Sequence, residues 1–285
     1  MMSLKKIYFS IPLSLRSILQ YIINKIDNRI VDDFINGNYG SEYGLTKKER
    51  NELIRRINKI LKNINSASSI QSLTILLKQI LEIPKDAKGV IVECGSYEGA
   101  STCVLSIAAK LINKKLIVYD SFEGLPEREV DKPRFYPHLS IYGYYKKGMY
   151  AASLKNVEKN LKLFGEIQSV EFKKGLFENT MLDHNEEICF IFMDVDLTSS
   201  TKTCIKYLWP HLLDNSYVYT DDSCDMEVVK VWFDQSWWKE NLNQDPPGYI
   251  GGGCGIPVSG DFSSLGYSFK NVNTDNYKKV NWLEY

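Results

Sequence analysis

The sequence predicts an α/β fold, in which a mostly parallel sheet is flanked by helices and preceded by a helical extension. From residue 89 onward, short apolar runs alternate with segments of helical periodicity, which is the pattern of strand–helix–strand units. Most of these runs are apolar throughout, as expected for strands that are covered on both faces. The first 85 residues carry helical signals instead. We therefore place the extension at residues 1–85 and the sheet domain at residues 86–285.

Three helices are predicted in the extension, at residues 15–34, 46–64 and 68–81. The first has apolar residues at helical spacing. The second opens with Thr46 and Glu49, which fit a capping box. Because the first helix has an apolar face, we expect it to pack on the protein or on a partner, including a second copy in a homo-oligomer, rather than to lie on a membrane surface.

The sheet domain is predicted to hold seven strands. Five lie at 90–94, 115–120, 169–175, 188–194 and 216–222, and a final pair lies at 266–272 and 279–285. Helices are predicted at 100–111, 154–164 and 228–238. Residues 121–152 and 241–266 read as long loops, for which we expect a lid or binding role. The aromatic residues between 135 and 150 either stack on a ligand or anchor the loop on the core.

Composition excludes several classes of protein. The 35 basic residues balance 35 acidic ones, so nothing indicates attraction to nucleic acid. No apolar stretch reaches the length of a membrane span. The six cysteines form no CxxC pair, and the three histidines lack zinc-ligand spacing. We expect reduced, buried thiols in a cytoplasmic protein.

The stretch "VIVECGSYEGAST", residues 90–102, predicts a strand that turns sharply into a helix. Its pattern is Glu93-x-Gly95-x-x-x-Gly99, which differs from the dinucleotide pattern G-x-G-x-x-G. Gly95 permits a tight turn, and Gly99 is expected to let the helix approach the strand. In open parallel sheets, ligands bind beyond the carboxyl ends of the strands, where strand order reverses. A negative charge at Glu93 disfavours phosphate there and suits a cationic ligand.

The second strand ends in Asp120, where an acid can accept hydrogen bonds from ribose hydroxyls. An acid at the first strand end and a ribose-binding acid at the second suit S-adenosylmethionine, which carries an ammonium, a sulfonium and a ribose. The alternative is a glycine turn in an unrelated α/β protein.

Two further strand ends carry pairs of carboxylates, at Asp194 and Asp196 and at Asp221 and Asp222. Such acids either point into solvent or cap helices, or they gather around a cation that offsets their repulsion. With two pairs we favour a cation, and oxygen-only ligands indicate Mg²⁺ or Ca²⁺. A hard cation can lower the pKa of a hydroxyl nucleophile so that a carboxylate can remove its proton, which suits a sugar or a catechol as methyl acceptor.

These stretches, together with "LIVYDSFEGLP", "KKGLFENT", "FMDVDLTSSTKTCIKYLWPHL" and "VYTDD", resemble the macrocin O-methyltransferase family, which methylates sugar hydroxyls in antibiotic and related glycoside biosynthesis. The resemblance covers roughly residues 89–222. It implies a Rossmann-like class I methyltransferase with S-adenosylmethionine as cofactor, Mg²⁺ as metal, and a sugar or glycosylated small molecule as acceptor. Two departures, Asp214-Asn215 in place of a glycine pair and Ser223 in place of an aromatic residue, bear on the acceptor and the metal.

The resemblance also assigns roles residue by residue. Asp194, Asp221 and Asp222 match metal ligands, and Asp196 matches the general base. The residues matched to the cofactor site are Glu93, Gly95, Ser96, Tyr97, Gly99, Ser101, Asp120, Ser121, Phe122, Gly175, Leu176, Phe177 and Asp194.

Three other functions are compatible with parts of this pattern. A catechol-type O-methyltransferase shares the cofactor and metal but takes an aromatic acceptor. A non-catalytic S-adenosylmethionine-binding protein uses the extension for docking. A nicotinamide dehydrogenase is disfavoured by the glycine pattern.

Overall fold

A computed structural model of the chain describes residues 29–127, 134–136, 139–141, 145–223, 225–250 and 265–270, with the backbone alone for 134–136 and 139–141. Its α-helices are α1 Arg29–Asn36, α2 Lys47–Asn63, α3 Ile70–Leu81, α4 Ala100–Leu111, α5 Leu154–Phe164, α6 Phe177–Thr180, α7 Thr198–Leu208, α8 Met226–Val231 and α9 Gln235–Leu242. Its strands are β1 Val90–Cys94, β2 Leu116–Asp120, β3 Arg134–Tyr136, β4 Leu139–Ile141, β5 Val170–Lys174, β6 Ile188–Met193, β7 Leu212–Thr220 and β8 Gly266–Phe269.

The main sheet has the strand order β5-β2-β1-β6-β7-β8. Its pairs are parallel except for β7 with β8, which is antiparallel. The predicted α/β class with a mostly parallel sheet is therefore confirmed. β1 lies between β2 on one side and β6 on the other, so strand order reverses at its carboxyl end, where open sheets of this type bind ligands.

The main sheet formed by the described residues has six strands, which match six of the seven predicted ones. A seventh position beside β8 is marked by one bridge between Ile250 and Tyr267, whose backbone bonds measure 2.9 and 2.7 Å. The sequence around Ile250 predicts a loop, because it is rich in proline and glycine and lacks strand periodicity. The strand predicted at 279–285 lies outside the described residues.

The predicted helices of the extension are confirmed at α2 and α3, and α1 matches the end of the first one. Residues before Arg29 lie outside the described part of the chain. The capping box of α2 is present: Glu49 N donates to Thr46 Oγ1 at 3.3 Å, and Thr46 N donates to Glu49 Oε2 at 2.7 Å.

One hydrophobic cluster runs from the extension into the sheet. It contains Phe34 of α1, Ile57 of α2, Leu76 of α3, Val104 of α4 and Phe190 of β6, and each is at most 1% exposed. The extension therefore packs with α4 in the layer that covers one face of the sheet. The domain boundary at residue 85 and the contacts of the extension in a homo-oligomer remain predictions.

A second cluster covers the opposite face of the sheet. Here Trp209, Trp232 and Trp238 pack together with centroid distances of 5.0 to 6.2 Å. The single helix predicted at 228–238 is in fact α8 and α9. Asp234 interrupts it, because its carboxylate accepts the amide of Trp237 at 3.1 Å and so caps a new helix.

The loop predicted at 121–152 also contains an unexpected element, the antiparallel hairpin of β3 with β4. None of the helices in the described part of the chain combines the length and apolar character that a membrane crossing requires. Cys94, Cys103, Cys189 and Cys204 are buried free thiols, as predicted. Burial raises the pKa of Cys103 to about 12 and that of Cys189 to about 11, which makes both poor nucleophiles.

Candidate active site

The carboxyl ends of the central strands are held in one row by backbone hydrogen bonds. Gly175 N donates to Asp120 O at 2.9 Å, and Gly95 N donates to Tyr119 O at 3.0 Å. On the other side of β1, Asp194 N donates to Cys94 O at 2.9 Å. The turns after β5, β1 and β6 therefore start at the same edge of the sheet, as the parallel arrangement requires.

Gly95 makes the turn after β1 possible for two reasons. Its φ is +83°, in the left-handed region, and a Cβ at this position would lie 1.9 Å from the backbone oxygen of Asp194. Gly99 also has a left-handed φ. The sequence predicts that it lets the following helix approach the strand, but the structure shows a different close contact. A Cβ there would lie 3.0 Å from Val157 Cγ1, so Gly99 accommodates helix α5 rather than a strand.

A cavity opens above this row of strand ends. Of the predicted site residues, those that line it are Gly95, Ser96, Tyr97, Ser101, Asp120, Ser121, Gly175, Leu176, Phe177, Asp194, Asp196, Asp221 and Asp222. Glu93, Gly99 and Phe122 are not part of the lining. Phe122 is instead 5% exposed and packs edge-on against Phe172, with ring centroids 5.9 Å apart.

Glu93 lies beneath the cavity and is fully buried. Its Oε1 accepts a 2.6 Å hydrogen bond from Ser101 Oγ, and Ser101 lines the cavity. Within the described residues, Glu93 Oε2 and the neighbouring hydroxyl of Thr102 have no partner at full hydrogen-bonding geometry. Burial raises the pKa of Glu93 to about 8, although Ser101 and Thr102 favour the charged form. Burial therefore favours the protonated form of Glu93.

Asp120, which the sequence predicts to bind ribose hydroxyls, also holds the glycine turn after β1. Its Oδ2 accepts from Ser96 N at 2.6 Å and from Ser96 Oγ at 2.9 Å, and its Oδ1 accepts from Phe122 N at 2.6 Å. A carboxylate offers about four acceptor positions, and these three bonds leave one for a ligand. A second position becomes free if Ser96 Oγ turns away.

The acids of the β6 and β7 ends converge, as predicted, but in a different grouping. Carboxylate oxygens of Asp194, Asp196 and Asp222 all lie within 4.8 Å of one another, and Asp221 lines the same cavity. The amide of Asp196 donates to Asp222 Oδ2 at 3.0 Å, which joins the two strand ends.

The charge of this cluster fits a cation. Burial raises the pKa of Asp194 well above its usual value, and the nearby carboxylates of Asp221, Asp196 and Asp222 raise it further. A divalent cation would relieve that repulsion, and carboxylate oxygens are the ligands that Mg²⁺ prefers. The residues present therefore fit a magnesium ion.

Strained backbone is concentrated around the cavity. The described non-glycine residues with positive φ include three asparagines, which tolerate this conformation, and four other residues: Tyr97, Phe122, Tyr150 and Asp196, with φ between 45° and 60°. Of these four, Phe122 adjoins the lining and the others belong to it. Such strain persists where surrounding structure enforces it, commonly at functional sites.

The sequence reasoning missed one wall of the cavity, the loop between α2 and α3. Residues Asn65, Ser66, Ala67 and Ser68 all line it. Asn65 donates to Glu98 of the glycine turn from its side chain at 2.9 Å and from its backbone at 3.3 Å. The cluster of small polar residues "NSASS" was the only signal for this loop, and it carries no information about where the loop lies.

Aromatic residues form another part of the lining. Tyr145 and Tyr150, from the end of the long segment after β2, belong to the cavity. Tyr150 contacts Tyr97 edge-on, with ring centroids 5.6 Å apart. The aromatic residues of this segment were expected either to stack on a ligand or to anchor the loop on the core. Tyr145 and Tyr150 lie where they could contact a ligand. His138, Tyr142 and Tyr144 lie outside the described residues.

The fold and the sequence were compared with those of known proteins. Among solved structures, the O-methyltransferase NovP superposes with a TM-score of 0.58 at 17% identity, over 78% of this chain and 97% of that one. CalS11, a calicheamicin methyltransferase, gives 0.49 at 18% identity over 78% and 92%. No curated protein sequence matches the chain significantly. The model of the macrocin O-methyltransferase family (TylF) matches residues 66–246, more than half of the sequence. The chain belongs to the macrocin O-methyltransferase family, and it is an O-methyltransferase.

Proposed function

We propose that the protein transfers a methyl group from S-adenosylmethionine to a hydroxyl of a sugar or glycosylated metabolite, with Mg²⁺ bound at the acidic cluster. The observation that carries the proposal is one cavity that joins the glycine turn after β1 to the carboxylates of Asp194, Asp196 and Asp222. A methyl donor at the turn and an acceptor hydroxyl at the cluster would meet in this cavity. Family membership and the cluster of oxygen ligands support this assignment.

The cofactor would lie along the strand ends of β1, β2 and β5. Asp120 has one acceptor position for a ribose hydroxyl, and Gly175, Leu176 and Phe177 form the wall beyond it. Below the other end of the cofactor lies Glu93, behind Ser101. A positively charged ammonium or sulfonium above Glu93 would favour its carboxylate form, because an opposite charge lowers the pKa of an acid.

The acidic cluster would serve the acceptor. Asp194, Asp221 and Asp222 would hold Mg²⁺, which when bound lowers the pKa of a coordinated hydroxyl. Asp196 would accept the proton of that hydroxyl, since its carboxylate lies within 4.8 Å of oxygens of Asp194 and Asp222. The hydroxyl oxygen forms a bond to the methyl carbon as the carbon–sulfur bond breaks, and S-adenosylhomocysteine leaves. Holding the two reactants in line supplies much of the acceleration.

The metal and the base are tested separately by Asp196→Asn and Asp222→Asn. We expect Asp196→Asn to lower kcat by about 100-fold or more while Mn²⁺ affinity stays near that of the wild type. Asp222→Asn should weaken Mn²⁺ binding, measured by electron paramagnetic resonance. If Asp196→Asn weakens Mn²⁺ binding equally, Asp196 is a ligand and not the base. Full turnover in EDTA would exclude the cation.

The acceptor class is tested by turnover of nucleotide sugars and glycosides against catechols. A catechol would use the same cation and base, so activity on catechols alone would replace the sugar assignment. Binding of S-adenosylhomocysteine is measured independently by calorimetry. Cofactor binding with no methylation of any acceptor in a cell extract would favour a non-catalytic role.

A further inference from the structure

We infer that Tyr249 is a positioning residue for the acidic end of the site: its hydroxyl fixes Thr220, the residue that leads into Asp221 and Asp222. The inference rests on the proposed function, because it concerns the same acidic cluster. None of the sequence patterns singled out this tyrosine, which follows Gly248 in a segment predicted to be a loop.

The contact is short and lies where β7 ends. Tyr249 Oη and Thr220 Oγ1 are 2.6 Å apart, and Thr220 is 1% exposed. Thr220 is the last residue of β7, and Asp221 and Asp222 follow it directly. A side chain that fixes the last residue of a strand also fixes the direction in which the next residues leave it. The bond therefore bears on where both carboxylates lie.

The ring of Tyr249 is itself held firmly. It stacks on the fully buried indole of Trp232, with centroids 5.8 Å apart and planes inclined by 20°. The backbone is tied on both sides: Gly248 N donates to Trp232 O at 3.2 Å, and Ile250 forms its bridge with Tyr267. A hydroxyl on a fixed ring can act as a rigid support, whereas one on a mobile loop cannot.

Gly266 provides a second, independent indication. It pairs with Thr220 across β7 and β8, and a Cβ at Gly266 would lie 2.1 Å from Tyr249 Oη. Gly266 is not among the glycines with left-handed backbone, so its backbone conformation does not require glycine. The absence of a side chain at Gly266 therefore makes room for the tyrosine hydroxyl beside Thr220.

The fixed strand end continues into the cluster. Asp222 Oδ2 accepts the amide of Asp196 at 3.0 Å, and Asp222 O accepts the amide of Asp225 at 3.0 Å. A shift at Thr220 would therefore move Asp222 and, through its bond, the backbone of Asp196. Partners behind metal ligands commonly tune affinity and activity in this way.

The experiment compares Tyr249→Phe with the matched control Tyr267→Phe. Both remove one phenolic hydroxyl from neighbouring segments, and Tyr267 stacks on Tyr219, with centroids 5.3 Å apart, on β7. We expect Tyr249→Phe to weaken Mn²⁺ affinity and to lower kcat by about tenfold each. KM for S-adenosylmethionine and affinity for S-adenosylhomocysteine should change less than twofold, because the glycine turn is untouched. Tyr267→Phe should leave all four quantities near wild type.

Thr220→Val and Gly266→Ala extend the test. Thr220→Val should reproduce the effect of Tyr249→Phe, and the double variant should lose no more than either single one, because both remove the same bond. Gly266→Ala should show the same loss with the tyrosine present. Equal Mn²⁺ affinity and kcat in Tyr249→Phe and Tyr267→Phe would overturn the inference.

Failure of the proposed function gives a different pattern. If the wild type binds no Mn²⁺ and is insensitive to EDTA, the proposed cation is wrong. Amide hydrogen exchange then tests separately whether Tyr249 fixes the end of β7. Faster amide exchange across residues 219–222 in Tyr249→Phe, but not in Tyr267→Phe, would then support it. Equal exchange in the two variants would overturn it.

Discussion

Replacing Glu93 by glutamine tests the electrostatics beneath the cavity. Glu93 is fully buried, and its pKa is raised from 4.5 to about 8 in the folded protein. The folded state therefore keeps a proton that the unfolded chain releases as the pH rises above 4.5. Because the folded state binds more protons in this window, the contribution of Glu93 to stability falls with rising pH. Glutamine has nearly the same shape and does not titrate, so this pH dependence should disappear in Glu93→Gln.

The magnitude follows from the two pKa values. One pH unit corresponds to about 1.4 kcal/mol, so raising the pH from 5.5 to 7.5 should cost the wild type roughly 2 to 3 kcal/mol relative to Glu93→Gln. Below pH 4.5 the difference should be constant, and above pH 8 it should level off at about 5 kcal/mol of accumulated loss.

The assay is urea unfolding of the wild type and Glu93→Gln at pH 5.5, 6.5 and 7.5, without cofactor or metal. Only the change of the difference with pH is used, so a constant offset from the substitution cancels. Glu52→Gln serves as control, because Glu52 is an exposed residue of α2. A difference between the wild type and Glu93→Gln that stays constant across this range would refute the reasoning.

Two further substitutions address the turn and the missed wall of the cavity. Gly95→Ala should lower the free energy of unfolding by well over the roughly 1 kcal/mol expected for Gly44→Ala. Both glycines have φ near +80°, but of the two only Gly95 has a backbone oxygen where a Cβ would lie. Thermal unfolding measures both losses, and equal losses would contradict the close approach at Gly95. Asn65→Ala should weaken affinity for S-adenosylhomocysteine severalfold by releasing Glu98. Asn63→Ala, whose side-chain amide donates to Lys59 of its own helix, should not. Calorimetry measures both affinities, and identical values would argue against a role for the loop.

The sheet and most of the site were predictable because their signals are local. Apolar runs specify β1, β2 and β6. Acids at the ends of parallel strands must meet at one edge, so the approach of Asp194 to Asp222 followed from strand order alone. The capping box of Thr46 and Glu49 likewise marks a helix start from four residues.

The structure differs from the expectations where side-chain direction or a distant contact decides the outcome. Glu93 was expected to face the ligand, but within β1 its side chain is enclosed by the protein, with Ser101 between it and the cavity. Phe122 lies beside a cofactor residue in sequence, yet its left-handed φ turns it toward Phe172 and the core. The proximity of Asn65 to Glu98 depends on how two helices pack, which sequence periodicity does not specify.

Because residues 65–68 form one wall of the cavity, the proposed catalysis would depend on the helices before the sheet. A protein shortened to start at residue 86 would lose one side of this cavity. The same cut would bare the faces of α4 and the sheet that now adjoin Phe34, Ile57 and Leu76. We therefore expect such a fragment to aggregate rather than to bind its substrates more weakly, because large exposed apolar surfaces promote association. The helices at the two ends of this loop would thus serve both the stability of the sheet domain and the proposed substrate binding.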